Sequence, residues 1–246
     1  MKTFIIGSKY AKALQPALQQ YGAEVLALPV NPHIADAVNS HADLSVFYDG
    51  EKEIFLAPYL KNSDFLHELE RYDLYIHVCD FTQDRNYPDD VQLNICRAGK
   101  YFYCNPETAD REVLQYLQNT SGLRMIAVNQ GYAACSALYL KDKALITSDN
   151  GICRAAENCG FDVLMITPGF IHLPGYSYGF MGGSAFFLNE HTLAFTGILA
   201  NHPDEQRILE FLRKYQIDPI FLTDQSIFDI GGAVCIDETL SPHIEY

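Results

Sequence analysis

The chain has no run of lysine or arginine, no Cys-x-x-Cys pair and no apolar stretch approaching a membrane span. Lys and Arg total 17 against 31 Asp and Glu, a formal net charge of -14. A nucleic-acid binder needs a positive face against the phosphates, so neither nucleic acid nor an anionic membrane surface is an expected partner. A bilayer span needs roughly 18 or more consecutive apolar residues, and none occurs. The segment Met1 to Lys9 is too short in apolar residues for a secretion signal.

The cysteines number seven, at positions 79, 96, 104, 135, 153, 159 and 235. An odd count without zinc-type spacing predicts neither a disulfide framework nor a metal cluster. Most lie in apolar surroundings, where a free thiol behaves as a small core residue. A reducing, cytoplasmic setting fits this usage, and no cofactor is expected.

What is present is an ordinary globular balance, 48% hydrophobic and 20% charged. A core of this size needs no disulfide. Helix-spaced apolar residues predict helices near 11–20, 64–71, 109–118, 150–158 and 203–216. Each precedes a short apolar strand: Glu24 to Leu28, Leu74 to Val78, Arg124 to Val128, Phe161 to Ile166 and Pro219 to Thr223. Hairpins follow the first four. They turn at Asp49-Gly50, Ala98-Gly99, Lys141-Asp142 and Asn189 to His191. The first hairpin strands are read at 44–48, 91–96, 135–140 and 182–188.

Five copies of helix, strand, gap and hairpin thus recur at a period of roughly 45–50 residues. The fifth lacks its second hairpin strand, and Thr3 to Ile6 is an orphan strand at the other end. Pairing Thr3–Ile6 beside Ala233–Ile236 would close the five units into a ring and remove exposed edges. The expected architecture is α/β, a single domain over 1–246 built as a five-bladed pseudo-fivefold α/β propeller closed by the N-terminal strand. An open α/β sandwich also satisfies the alternation.

The unit order, with Gly231-Gly232-Ala233-Val234-Cys235 near the C-terminus, resembles the pentein or guanidine-modifying (amidinotransferase-like) superfamily. That group includes arginine and agmatine deiminases, dimethylarginine hydrolases, amidinotransferases and a non-catalytic ribosome anti-association factor. The resemblance implies that Cys235 is a nucleophile toward a guanidinium carbon, a role that needs a lowered thiol pKa or an adjacent base. It implies a general acid–base histidine in the fourth unit, but Phe180 stands there. It implies an acid-Gly-Gly-Asp run in the third unit, but Ala133 to Ser136 stands there. His172, in a loop rich in Pro, Gly and Tyr, is the candidate replacement base.

Asp43 and Asp229 are candidate cation holders, with Asn39, His41 and Ser184 as further substrate contacts. Tyr176 and Tyr178 could stack on a planar cation. Gly179 to Ser184 lacks the Lys of a P-loop and reads as a segment for close backbone packing. Two functions stay open: a Cys-dependent amidine hydrolase or amidinotransferase, or a non-catalytic ligand-binding or interaction module on the same scaffold. The expected partner is a small cationic or polar ligand, and a homodimer stays open.

Overall fold

The computed structural model describes residues 2–141 and 143–237. Its elements run in the order β1 (Lys2–Gly7), α1 (Ser8–Gln20), β2 (Ala23–Leu28), β3 (Val46–Tyr48), β4 (Glu53–Leu56), α2 (Asp64–Leu69) and β5 (Tyr75–Val78). There follow β6 (Cys96–Ala98), β7 (Tyr101–Cys104), α3 (Arg111–Asn119), β8 (Arg124–Ala127), α4 (Ala133–Ser136), β9 (Ala137–Tyr139), β10 (Ala144–Thr147), α5 (Asn150–Asn158) and β11 (Asp162–Met165). The chain continues through β12 (Ala185–Asn189), β13 (Thr192–Phe195), α6 (Glu205–Lys214), β14 (Asp218–Phe221) and β15 (Val234–Asp237). The expected Lys141-Asp142 turn falls partly outside the described residues, because Asp142 is not among them.

The helices start where local chemistry allows. Ser63, Asp110 and Asp149 each accept a hydrogen bond from a first-turn N–H of α2, α3 and α5. Pro203 does not open α6 as expected; the helix begins at Glu205. Asp204 turns its carboxylate instead to the Thr167 N–H, 2.6 Å away, and to the Arg207 guanidinium.

The strands form five open three-stranded sheets: β15-β1-β2, β3-β4-β5, β6-β7-β8, β9-β10-β11 and β12-β13-β14. Within each, the first pair is antiparallel and the second parallel. The working unit is therefore hairpin, helix, strand. Each helix-plus-strand joins the hairpin before it, whereas the sequence grouped it with the hairpin after it. A parallel neighbour needs a crossover, and the helix between β4 and β5, or β7 and β8, supplies one. The terminal strands do meet: β1 pairs antiparallel with β15 in the register Thr3 to Ile236, Phe4 to Cys235 and Ile5 to Val234.

Each of five apolar clusters is shared by two sheets. Phe4 and Ile6 of β1 pack with Phe186 and Leu188 at β12, while Ile5 packs with Val46 and Ile54 of β3 and β4. The other three join Phe47 to Phe102, Tyr103 to Leu145, and Ile146 to Phe195. Phe4, Ile5 and Ile6 are all fully buried, so β1 is clamped on both faces. Burying each such side chain contributes about 1.5–3 kcal/mol. Among the described residues, no helix is long and apolar enough to cross a membrane.

All four expected first hairpin strands begin later than the sequence suggests, β6 at Cys96 rather than at position 91. Tight helical turns occupy 42–44, 133–136 and 182–184, just before β3, β9 and β12. A turn breaks the two-residue alternation of a strand, and this change of direction builds the site.

Candidate functional site

The turn Ala42–Leu44 presents Asp43, and α4 presents Cys135. α4 has four residues and no capping side chain from its own N-cap. Asn94 supplies the missing acceptor from another unit: its Oδ1 takes the Ala134 N–H at 2.7 Å and the Cys135 N–H at 3.4 Å. Its Nδ2 donates to Cys135 Sγ at 3.3 Å and to the Asp43 carbonyl at 3.4 Å. The Cys135 thiol donates to Asp43 Oδ2 at 2.7 Å.

Asp229 arrives from the loop before β15 and is 1% exposed. Its Oδ2 accepts the Phe180 N–H and its Oδ1 the Gly231 N–H, both at 2.8 Å. His41 Nδ1 lies 3.8 Å from Asp229 Oδ1. The Asp229 carboxylate fits only because Gly179 and Gly183 lack side chains. A Cβ on Gly183 would sit 2.0 Å from Oδ1, and one on Gly179 would sit 2.4 Å from the Asp229 Cβ. The glycines of 179–184 therefore do serve close packing, as read from the sequence.

Above these groups is a cavity of about 230 Å³ lined by His41, Cys135, Asp229, Tyr132, Tyr176, Tyr178 and Phe180, with Val38, Leu173 and Ser177. Tyr132 is held by its hydroxyl, which donates to Asp90 Oδ2 at 2.6 Å. The Phe180 ring lies 6.4 Å from the Tyr132 ring and 6.0 Å from that of Tyr178.

Burial sets the protonation states. It pushes the Asp43 carboxyl from 3.8 up to about 8, helped by the neighbouring Asp229 charge and opposed by hydrogen bonds from Cys135 and Asn94. Burial, then Asp43 and Asp229, holds the Cys135 thiol well above its ordinary value. Burial lowers His41, against the pull of Asp229. Three atoms here are sealed without a hydrogen-bond partner: His41 Nε2, Asp43 Oδ1 and Asn39 Oδ1.

The expected site residues separate into two groups. His41 and Asp229 line the cavity floor, and Asp43 lies behind it, accepting the thiol of the lining Cys135. Cys235 does not line the cavity. It lies on β15, with Phe4 as its register partner, and packs on the cluster that contains Phe4 and Phe186. Strand alternation sends its neighbours Val234 and Ile236 to the opposite cluster. His172 is exposed and enters the fold through its backbone, which bonds to Ile227 and Asp229. Its side chain is not in the cavity wall. Ser184 is fully buried, and its hydroxyl donates to the Phe180 carbonyl at 2.7 Å. Asn39 is buried, and its carbonyl accepts the Asn31 N–H. Neither lines the cavity.

The sequence missed Cys135, Asn94 and Tyr132 as site residues. Cys135 stood in plain view as the residue replacing an expected carboxylate run. Its signal was positional: like Asp43, it lies on the segment entering a hairpin. The sequence also expected no metal cluster, whereas one ligand atom each from His41, Asp43 and Cys135 lies within 4.8 Å of the others.

The fold is the one that the pentein, or amidinotransferase-like, resemblance implies. A Pseudomonas aeruginosa DDAH, solved as a cysteine-to-serine mutant complexed with citrulline, is similar with a TM-score of 0.59 at 12% identity, over 94% of this chain and 95% of that one. An amidinotransferase of the saxitoxin biosynthetic pathway from Microseira wollei gives 0.57 at 13% identity, over 99% and 96%. The Streptomyces griseus inosamine-phosphate amidinotransferase gives 0.57 at 11% identity, over 99% and 95%. No curated protein matches the sequence. Residues 5–234 match a family of unknown function, DUF6873, and the chain belongs to that family.

Proposed function

We propose that this protein binds a small organic cation of the guanidine, amidine or amine class in the cavity. One observation carries the reading. The buried carboxylate of Asp229 lines the floor beneath aromatic walls, the Asp43 carboxyl lies behind it against Cys135, and among the described residues no Lys or Arg forms a salt bridge with either. A buried carboxylate without a cation is costly, and a bound cation offsets that cost. Tyr132, Tyr176, Tyr178 and Phe180 add faces on which a planar cation can stack, each contributing about 0.5–2 kcal/mol.

Likeness to amidinotransferases supports the same ligand class at the level of scaffold. The five sheet-sharing clusters and the β1–β15 pairing support a ring of five units around this cavity. The net charge of -14 favours a cation and disfavours nucleic acid or an anionic membrane as partner.

The test is isothermal titration of arginine, agmatine and guanidinium against neutral citrulline and urea. Cations are expected to bind and the neutral isosteres to bind much more weakly. Silence across the cations, or equal binding of both sets, overturns the reading. The covalent alternative with Cys235 is checked with the same ligands. Cys235→Ser is expected to change affinity less than about threefold, whereas truncating a cavity aromatic in Tyr176→Ala is expected to weaken cation binding by about three- to thirtyfold. A lost affinity or a lost turnover in Cys235→Ser would restore the nucleophile role.

A further inference from the structure

The geometry points to a soft divalent metal site at the cavity floor, formed by His41, Asp43 and Cys135. Three observations carry it, and none depends on the organic-cation reading. First, the residues offer one nitrogen, one oxygen and one sulfur atom, all within 4.8 Å of one another. A tetrahedral zinc with Zn–N and Zn–O near 2.0 Å and Zn–S near 2.3 Å sets its ligands about 3.3–3.5 Å apart. Cys135 Sγ and Asp43 Oδ2, now 2.7 Å apart around a shared proton, need open by less than about 1 Å to admit the ion.

Second, the donor atoms stand ready. His41 is 2% exposed, and its Nε2 has no hydrogen-bond partner. Asp43 Oδ1 is likewise sealed and without one. A buried imidazole nitrogen and a buried carboxylate oxygen are each costly to leave unmatched. One ion satisfies both.

Third, the surroundings match the outer shell of a metal centre. His41 Nδ1 faces the Asp229 carboxylate at 3.8 Å, a spacing that a small ring movement closes into the carboxylate–histidine bond that leaves Nε2 to the metal. Asn94 fixes Cys135 through the backbone and the sulfur. A thiolate with an imidazole selects zinc over magnesium or calcium, which prefer oxygen ligands. Thiolate and carboxylate together neutralise a divalent ion, and metal entry releases to solvent the protons that the Cys135 thiol and the Asp43 carboxyl hold in the metal-free protein. Three protein ligands leave a fourth position. That position faces the aromatic cavity, where an exogenous ligand could reach the ion.

The test uses the full chain, stripped with EDTA and titrated with zinc chloride by calorimetry and with cobalt chloride by absorption. One equivalent of zinc is expected to bind. Cobalt is expected to give a near-ultraviolet thiolate-to-metal charge-transfer band. Cys135→Ser is expected to remove the band and weaken zinc binding by at least about 100-fold, and Asp229→Asn to weaken it by about 10- to 100-fold. Absence of stoichiometric zinc binding, or absence of the band in wild-type protein, overturns the site whatever the variants do. So does unchanged zinc affinity in a folded Cys135→Ser. Titrating agmatine into the same stripped protein separates the two readings. Agmatine bound without zinc binding removes only the metal site, and zinc bound without any organic cation removes only the function proposed above.

Discussion

Asp43→Asn is expected to leave the metal-free protein as stable as wild type at low pH and more stable toward pH 8. The amide keeps the size of the acid and can still accept the Cys135 thiol proton, but it carries no charge. Asp43 instead ties stability to pH, because its carboxyl is sealed beside Asp229. Its folded-state pKa of about 8 lies above the ordinary 3.8. The folded protein therefore holds this proton more tightly than the unfolded chain does. The stabilisation is complete below pH 3.8 and is lost as pH rises through about 8. The asparagine variant has no such dependence. With EDTA present, the difference in Tm is expected to grow in its favour between about pH 5 and pH 8, by roughly 2–4 °C for each kcal/mol. Thermal denaturation at a series of pH values measures this. A wild-type advantage that widens toward pH 8 would contradict the buried-acid assignment.

Gly231→Ala is expected to be the most damaging one-methyl change at the site, costing about 2–5 kcal/mol. Two penalties coincide. Gly231 has φ +72°, a left-handed conformation that an L side chain adopts only with strain. An added Cβ would also stand 2.2 Å from the His41 Cβ and 2.5 Å from the His41 Cα. Neither atom can swing aside, because both are tied to the backbone. Gly231 further connects the two acids: its N–H donates to Asp229, and its carbonyl accepts the Asp43 N–H at 3.2 Å. Moving it displaces His41, Asp43 and Asp229 together, so ligand binding is expected to fail even in the folded fraction. Gly122→Ala is the control, with φ +86° and nothing within 4 Å of its Cβ. It pays the conformational strain alone, about 1–2 kcal/mol. Chemical denaturation of both variants separates clash from strain, and equal losses would show that the contact with His41 yields.

Both effects turn on contacts between units, and this is where the sequence loses its reach. Helices α2, α3 and α5 were legible because apolar residues recur at helical spacing; that Ser63, Asp110 and Asp149 cap them came from the structure. The meeting of Thr3 with Ile236 was legible from one orphan strand at each end of a repeat. Grouping each helix with the following hairpin was not correct, since proximity in sequence does not state which side of a crossover a strand joins. Leu44, Cys135, Ser136 and residues 182–184, which lie in the tight turns, were read as strand because they run directly into apolar strand residues.

Cys135 and Cys235 show the same division within the site. A Gly-Gly-x-x-Cys motif drew attention to Cys235, yet pairing with Phe4 turns that sulfur toward a hydrophobic cluster. Cys135 carried no motif, and it reaches the cavity because Asn94 caps a four-residue helix from a neighbouring unit.

The amino-acid order alone determined the repeat, the helices, most of the strands and the strongly acidic charge, since these follow from short-range periodicity, capping and composition. Only the tertiary structure decided which thiol, histidine and carboxylates share one cavity. Residues 41 and 43 come from one unit and 94, 135 and 229 from three others, and the protonation of the titratable ones depends on how much water the packed units exclude.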